Sequence, residues 1–424
     1  MFATHGKTAV TTPTWAEVDE QGRLVLPSET TARFGLRPGA RLRLDTGDND
    51  IRLHRPISHL AKVYVEPTDR CNIACLTCYR NNWEVEYGRM EDQIFERVLD
   101  GLREVSPPPA VFFGGIGEPL THPGIVDMIA SVKELGARAE MITNGTLLTI
   151  ERSEDLIAAG LDSLWVSIDG ANPESFADVR VGAELPQIIE NLMAFRRARK
   201  FSYPAHPELG IVFVAMERNI AELPDVLALG RRLGAMRFMV TNYLPHTADA
   251  IEQILYKRSV MDITYLDSPW LPKLDLPKID IDERTGPVLL QALSCGMNVN
   301  LAGLNLSGAN DVCTFIESGS MAIAWDGGVS PCTPLMHTHG TYLKERKRLS
   351  RQHVIGNVGE RDLLDLWNDP DYVAYRSHVQ SFAFPPCTFC GGCDMSESNE
   401  EDCLSNPFPV CGGCLWAQGV VQCP

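Results

Sequence analysis

The chain has 424 residues, 44% of them hydrophobic, enough to bury a large core across two or three domains. Its 55 acidic residues outnumber the 38 basic ones, and the net charge of −17 argues against nucleic acid or an anionic membrane as the main partner, because both reward clustered Lys and Arg. The opening MFATHGKTAVTTPTW lacks a signal-peptide apolar run, and no later stretch reaches the roughly eighteen apolar residues of a membrane span, so a cytoplasmic protein is expected.

In chain order, the first module is WAEVDEQGRLVLPSETTARFGLRPGARLRLDTGDNDIRLHRP, within residues 1 to 56. Its G-R-x-x-L-P turn at Gly22 to Pro27 and G-L-x-P-G segment at Gly35 to Gly39 resemble the SpoVT/AbrB-like swapped-hairpin fold. That resemblance implies a small β-rich module, which in stand-alone relatives dimerises and binds DNA. Here seven arginines are balanced by seven acids between residues 17 and 55, a poor composition for gripping phosphates. Docking to a protein or peptide substrate, or homodimer formation, is the better expectation.

From residue 57 to 250, short apolar runs alternate with amphipathic ones, the pattern of strands linked by crossover helices. KVYVEPT (62–68), AVFFGG (110–115), AEMITNG (139–145), SLWVSID (163–169), GIVFVAM (210–216) and MRFMVTN (236–242) read as strands. Six βα units predict a parallel α/β layer or an incomplete barrel. Polar signals fall at the carboxyl ends of these strands, the rim where barrel enzymes build active sites: Gly114, Gly115, Gly117, Glu118 and Pro119, then Asn144, then Ser167 and Asp169. Glycines there let a ligand approach the backbone, while Asn144, Ser167 and Asp169 are weaker signals, because short polar residues also cap the following helix.

The first strand runs into RCNIACLTCYRNN, which places Cys71, Cys75 and Cys78 in a C-x3-C-x2-C array. Thirteen cysteines in a reducing compartment point to ligation rather than disulfides, and they fall in two groups, three at 71–78 and ten from Cys295 to Cys423. Structural zinc wants four protein ligands, usually as two paired halves, and no second half lies near this loop. Three thiolates on a tight loop suit a 4Fe-4S cluster with one iron left open.

CNIACLTCY, with its aromatic residue after the last cysteine, resembles the cluster loop of the radical S-adenosylmethionine (SAM) family. The resemblance implies a partial (β/α)6 barrel and reductive cleavage of SAM, chelated at the open iron, to a 5′-deoxyadenosyl radical that abstracts hydrogen from a substrate. It carries the cluster ligands onto Cys71, Cys75 and Cys78, the aromatic position near adenine onto Tyr79, and the segment holding the SAM methionine end onto Gly114, Gly115, Gly117, Glu118 and Pro119. It also suggests Asp169 as a ribose-hydroxyl acceptor, with Asn144 and Ser167 as further SAM-side positions.

After a linker at 251–294, the segment 295–424 is cysteine-rich. Cys313, Gly327 and Cys332 resemble the opening of the SPASM domain of radical SAM maturases, continued by Cys387, Cys390, Cys393, Cys403, Cys411, Cys414 and Cys423. The resemblance implies two auxiliary 4Fe-4S clusters, three in all; the spacing departs from the usual run, which leaves the pairing of ligand to cluster open. The C-x2-C pairs also fit zinc knuckles. Cys295, after an apolar QALS, reads as a small core residue. His337, His339, Glu217 and His246 sit where they can line a reaction cavity or serve as loop and cap residues, and KERKR (344–348) reads as an exposed basic turn.

Together these features resemble the radical SAM/SPASM maturases, and CLTCYRNNWEVEYGRM, CGGCLWAQGVVQCP and the front module most resemble those of tungsten cofactor oxidoreductases. The implied substrate is a protein, a peptide or a pterin cofactor, and the implied electron donor a ferredoxin or flavodoxin. Crosslinking of a ribosomally made peptide, redox-sensing DNA regulation and simple electron carriage are the competing readings; the glycine-rich segment disfavours the last two.

Overall fold

The computed structural model describes residues 14–47, 50–83, 87–199, 206–257, 273–277, 279–293, 298–301, 304–305, 311–343, 345–390 and 393–424. Its contacts divide the chain into two units, Met1–His59 and Leu60–Pro424.

The first unit holds two antiparallel pairs, β1 (Glu17–Val18) with β2 (Leu24–Val25) and β3 (Leu44–Thr46) with β4 (Ile51–Leu53), separated by α1 (Ser28–Arg33). Asp19 shapes the first turn, its carboxylate accepting from the backbone N–H of Gln21 and Arg23 and from Arg23 Nε at 2.7 Å. Pairs this short cannot bury their own side chains. Trp15, Val18, Leu24 and Ile51 are accordingly all exposed.

In the second unit six strands and their helices follow in order. They are β5 (Lys62–Val65), α2 (Asp92–Arg103), β6 (Ala110–Phe113), α3 (Ile125–Glu134), β7 (Ala139–Thr143), α4 (Ile150–Ala158), β8 (Ser163–Ser167), α5 (Pro173–Val179), α6 (Leu185–Ala198), β9 (Glu208–Ala215), α7 (Leu223–Leu233) and β10 (Arg237–Asn242). The predicted strands are all present, paired parallel in sequence order. The helices follow local rules: α2 buries Phe95, Val98, Leu99 and Leu102, one stripe at helical spacing, and α7 stops at Gly234 in the left-handed conformation.

Further along come β11 (Lys273–Leu276), α8 (Thr285–Leu293), β12 (Asn298–Leu301) and β13 (Leu304–Asn305), so the 251–294 stretch expected as a linker contains elements of its own. Cys295 lies outside the described residues. Next are α9 (Thr314–Glu317), β14 (Ser320–Ile323), β15 (Gly328–Ser330), β16 (His339–Leu343), β17 (Arg346–Ser350) and β18 (Gly356–Asn357).

The sheet does not stop at β5. β14 adds parallel to its free edge, and β15 and β18 continue antiparallel, giving the order β10-β9-β8-β7-β6-β5-β14-β15-β18. Side chains alternate across it. Val63, Val65, Val111, Phe113, Met141, Leu164, Val166, Ile211 and Phe213 pack in the large core that includes the helices. The intervening Tyr64, Phe112, Trp165 and Val212 face the other way and are covered by Phe315, Ala322, Ala324 and Met336 from the cysteine-rich part. That part is therefore structurally fused to the barrel. Among the described residues no helix is long and apolar enough to cross a membrane.

Candidate active site

The cysteine loop leaves the carboxyl end of β5 and is laced to the segment after α5. Ala74 N–H donates to Val181 O at 2.9 Å and Leu76 N–H to Val179 O at 2.8 Å, a two-bond ladder with Cys75 on one side and Arg180 on the other. Arg180 Nη1 donates to Cys75 Sγ at 3.5 Å, and its Nε to Asp169 Oδ2 at 2.6 Å. Cys71, Cys75 and Cys78 line one cavity of about 230 Å³, together with Thr77, Tyr79 and Arg180. Gly115, Gly117, Glu118, Asn144 and Ser167 line the same cavity, so residues from four strand ends converge as the sequence predicts.

Several expected SAM-side residues also have structural tasks. Glu118, 2% exposed, accepts from Thr143 Oγ1 at 2.7 Å, Leu120 N–H at 3.0 Å and Asn144 N–H at 2.6 Å, tying the end of β6 to that of β7. Burial raises its pKa against the pull of those bonds. Asn144 Nδ2 donates to Asn72 Oδ1 at 2.9 Å and stands 3.8 Å from Cys71 Sγ, which aims the amide at the loop. Gly117 is required by close approach, since a Cβ there would stand 2.1 Å from Thr68 O. Gly114 and Pro119 are not among the residues that line the cavity.

Asp169 departs from its expected setting. It is fully buried and does not line the cavity; Oδ2 is taken by Arg180, and Oδ1 accepts from Val214 N–H at 2.7 Å. Tyr79 does line the cavity, but His339 already stacks on one face of its ring, centroids 4.4 Å apart and planes at 21°. His246 meets Tyr79 edge-on at 5.6 Å, and its Nε2 donates to Thr77 O at 2.7 Å. Burial holds His246 below the ordinary imidazole range and His339 down at about 4. His337, by contrast, bonds to Glu66. None of the three is a solvated loop residue.

The tail cysteines separate into two neighbourhoods. Cys313, Cys332, Cys411 and Cys414 line a single enclosed cavity of about 60 Å³. Burial, with the nearby Cys414, pushes the Cys313 thiol up to about 12, and Tyr375 Oη lies 3.3 Å from Cys411 Sγ. Cys387 begins the short helix Cys387–Cys390 and lies in the field of Cys403, Asp402 and Cys393. Burial pushes its thiol up to about 11, with Arg348 opposing. Cys423 accepts from Trp416 Nε1 at 3.2 Å and does not line the four-cysteine cavity. The twelve described cysteines are all unbridged, and among the described residues no three His, Cys, Asp or Glu side chains close on a single ion.

The KERKR segment is not an exposed turn. Arg346–Ser350 is β17, paired antiparallel with β16; strand alternation exposes Lys347 and puts Arg348 on the other face, 6% exposed, while Arg346 at the strand's start pairs with Asp394 and Glu397. Sequence reasoning also passed over Arg180 and Glu66, whose signal lies only in the fold.

A barrel rim with three loop thiols and a glycine-lined wall on one cavity, joined to a tail with nine more described thiols, defines a radical SAM enzyme with auxiliary cluster sites. The Radical SAM superfamily model matches residues 65–209, and the SPASM iron-sulfur cluster-binding domain matches 313–394. The chain belongs to the radical SAM superfamily and carries a SPASM domain. It is 31% identical over 366 residues to the tungsten-containing aldehyde ferredoxin oxidoreductase cofactor-modifying protein of Pyrococcus furiosus, covering 85% of this chain and 96% of that one. The PqqA peptide cyclase of Gluconobacter oxydans is 29% identical over 189 residues, 44% of this chain and 49% of its own. In fold the chain is similar to Streptococcus suis SuiB bound to S-adenosylmethionine, with a TM-score of 0.50 at 17% identity over 80% of this chain and 71% of that one.

The family's cofactors are a 4Fe-4S cluster with SAM in the barrel and auxiliary iron-sulfur clusters in the SPASM domain. The residues fit such groups. Three thiols on one loop face an open cavity, and four line another.

Proposed function

We propose that this chain modifies the cofactor of a tungsten-containing oxidoreductase by radical SAM chemistry. The observation that carries the reading is the match to the Pyrococcus furiosus cofactor-modifying protein across 96% of its length, where the Methanosarcina barkeri AdoMet-dependent heme synthase and the Gluconobacter oxydans PqqA peptide cyclase match over about half of theirs. Cys71, Cys75 and Cys78 would hold the SAM-binding cluster. When bound, that cluster and SAM supply a one-electron cleavage whose radical reaches C–H bonds that His or Glu cannot deprotonate at neutral pH.

The chain's own residues position and enclose. The backbone around Gly115 and Gly117 admits the methionine end of SAM without a Cβ in the way, Asn144 holds the loop through Asn72, and Ser167 offers a hydroxyl at the cavity wall. Asp169 acts through Arg180. Tyr79, clamped by His339 and His246, closes the cavity on the tail side. Cys313, Cys332, Cys411 and Cys414 would hold one auxiliary cluster, and Cys387, Cys390, Cys393 and Cys403 the other, with Cys423 beside the first through Trp416.

A low-potential donor such as a ferredoxin or flavodoxin would supply the electrons, and unbridged cysteines suit a reducing, cytoplasmic setting. The exposed Trp15, Val18, Leu24 and Ile51 support a front module that pairs with a second copy or docks a protein substrate. The test is a tungsten oxidoreductase produced with and without this protein. The enzyme from the deficient cells is expected to fold but lack activity, and comparing intact mass, extracted-cofactor mass and tungsten content locates the change. A fully active, metal-replete enzyme from the deficient cells removes the reading and leaves peptide modification in its place.

A further inference from the structure

Both cysteine regions have a buried arginine set against their sulfurs, and neither arginine was assigned a role by the sequence. Arg180, 8% exposed, donates to Cys75 Sγ and is held from behind by Asp169. Arg348, 6% exposed, stands between the two tail groups. It lines the cavity of Cys313, Cys332, Cys411 and Cys414, and its guanidinium lies so close to the Cys411–Cys414 turn that a Cβ on Gly413 would be 2.6 Å from Arg348 Cζ. A Cβ on the adjacent Gly412 would be 3.5 Å from Cys387 Sγ, so the same turn touches the second group. Arg348 Nη1 donates to Ser396 O, which prevents the side chain from swinging away.

We propose that Arg180 and Arg348 are separate buried counter-charges, the first setting the reduction potential at the loop cysteines and the second at the tail cysteines. The inference rests on the reading that both regions carry clusters. Reduction adds one electron, and so one negative charge, to a site already made negative by thiolates in a poorly screened interior. A fixed guanidinium stabilises the reduced form more than the oxidised form and raises the potential, as do hydrogen bonds donated to the sulfurs. Asp169 cancels the net charge of Arg180 but lies on its far side, so Cys75 sees the positive end of the pair. Arginine suits the position because it stays charged when buried and its planar fork reaches a sulfur and an anchor together.

The experiment is an EPR-monitored potentiometric titration of the anaerobically reconstituted full chain, without SAM. Dithionite supplies one electron per cluster through redox mediators, and iron and sulfide are assayed first. The loop signal is identified as the one missing when Cys71, Cys75 and Cys78 are all changed to Ala. Arg180→Gln is expected to move that signal to a more negative midpoint and leave the tail signals in place; Arg348→Gln is expected to do the reverse. Arg180→Lys and Arg348→Lys, which keep the charge, should stay nearer the parent protein.

Should a glutamine variant fail to load iron, Met at the same position is the second neutral variant. Loading by Lys alone then makes the charge a condition of assembly and supports the proposal. Failure of Lys as well would mean a packing role and overturn it. Neutral variants that load with unmoved midpoints, or that shift loop and tail signals alike, also overturn it. An unsubstituted chain that binds no iron would instead overturn the cluster reading beneath it.

Discussion

His337 Nε2 and Glu66 Oε2 lie 2.8 Å apart although 271 positions separate them in the chain. Glu66 follows β5 directly and its other oxygen accepts from Ile116 N–H at 3.0 Å, so one carboxylate joins the first barrel strand, the glycine-rich loop and the tail. Burial lowers the affinity of His337 for its proton, but the bond to Glu66 and the fields of Glu66, Asp69 and Asp326 outweigh it and raise its pKa. The unfolded imidazole titrates near about 6.5. The folded value lies above that, so the pair's contribution is fully present below about pH 6.5 and is lost as pH rises through the folded value. Denaturant unfolding across this range should show the parent protein losing stability relative to His337→Gln as pH increases. Parallel pH profiles would mean that the histidine is not charged in the fold.

Glu118 accepts three hydrogen bonds with two oxygens. Glu118→Gln must present an NH2 group to at least one N–H or O–H donor, leaving a buried donor unsatisfied at a cost of about 1–3 kcal/mol. A lower denaturation midpoint is expected, together with weaker SAM cleavage, because Asn144 loses its anchor. An unchanged midpoint would show that the loop relaxes around the amide.

The three clusters together imply roughly twelve iron per chain. Changing Cys71, Cys75 and Cys78 to Ala should abolish SAM cleavage by dithionite-reduced protein while about eight iron remain, since the tail sites are built from other residues. Changing Cys411 and Cys414 should remove about four iron and spare some uncoupled SAM cleavage. Zinc in place of iron after anaerobic preparation would contradict both expectations.

Removing residues 1–56 should leave iron content and SAM cleavage intact, because every proposed ligand lies downstream, while turnover of the protein-borne substrate falls. Sedimentation of the full and shortened chains tests the pairing role at the same time: a dimer that survives the deletion would assign self-association to another surface. Nanomolar, sequence-specific DNA binding by the full chain at physiological salt would favour the regulator reading instead.

The parts of this fold that could be read in advance are those written in neighbouring residues. AVFFGG and SLWVSID announce buried strands by their own composition, and the spacing of Cys71, Cys75 and Cys78 is a local chemical fact. The rest depends on residues that meet only in the folded chain. Arg180 approaches Cys75 from 105 positions away, and the set Cys313, Cys332, Cys411 and Cys414 is assembled from three distant segments. In KERKR, charge density suggested solvent, but the two-residue period of a strand exposes Lys347 and buries the adjacent Arg348. Asp169 was legible as a polar residue at a strand end; that its two oxygens would accept from Arg180 and from Val214 N–H was not.

The parallel pairing of β14 with β5 also constrains how the chain is made. β5 leaves the ribosome with an unpaired edge, and roughly 250 further residues must be synthesised before β14 can cover it. At about 5–20 residues per second that is a wait on the order of ten to fifty seconds. Throughout it the Tyr64, Phe112 and Trp165 face lacks Phe315 and Met336, the side chains that shield it in the finished molecule. The nascent barrel thus keeps an open edge and an uncovered aromatic face, and expression of residues 57–250 by themselves should yield an aggregating fragment rather than a minimal enzyme.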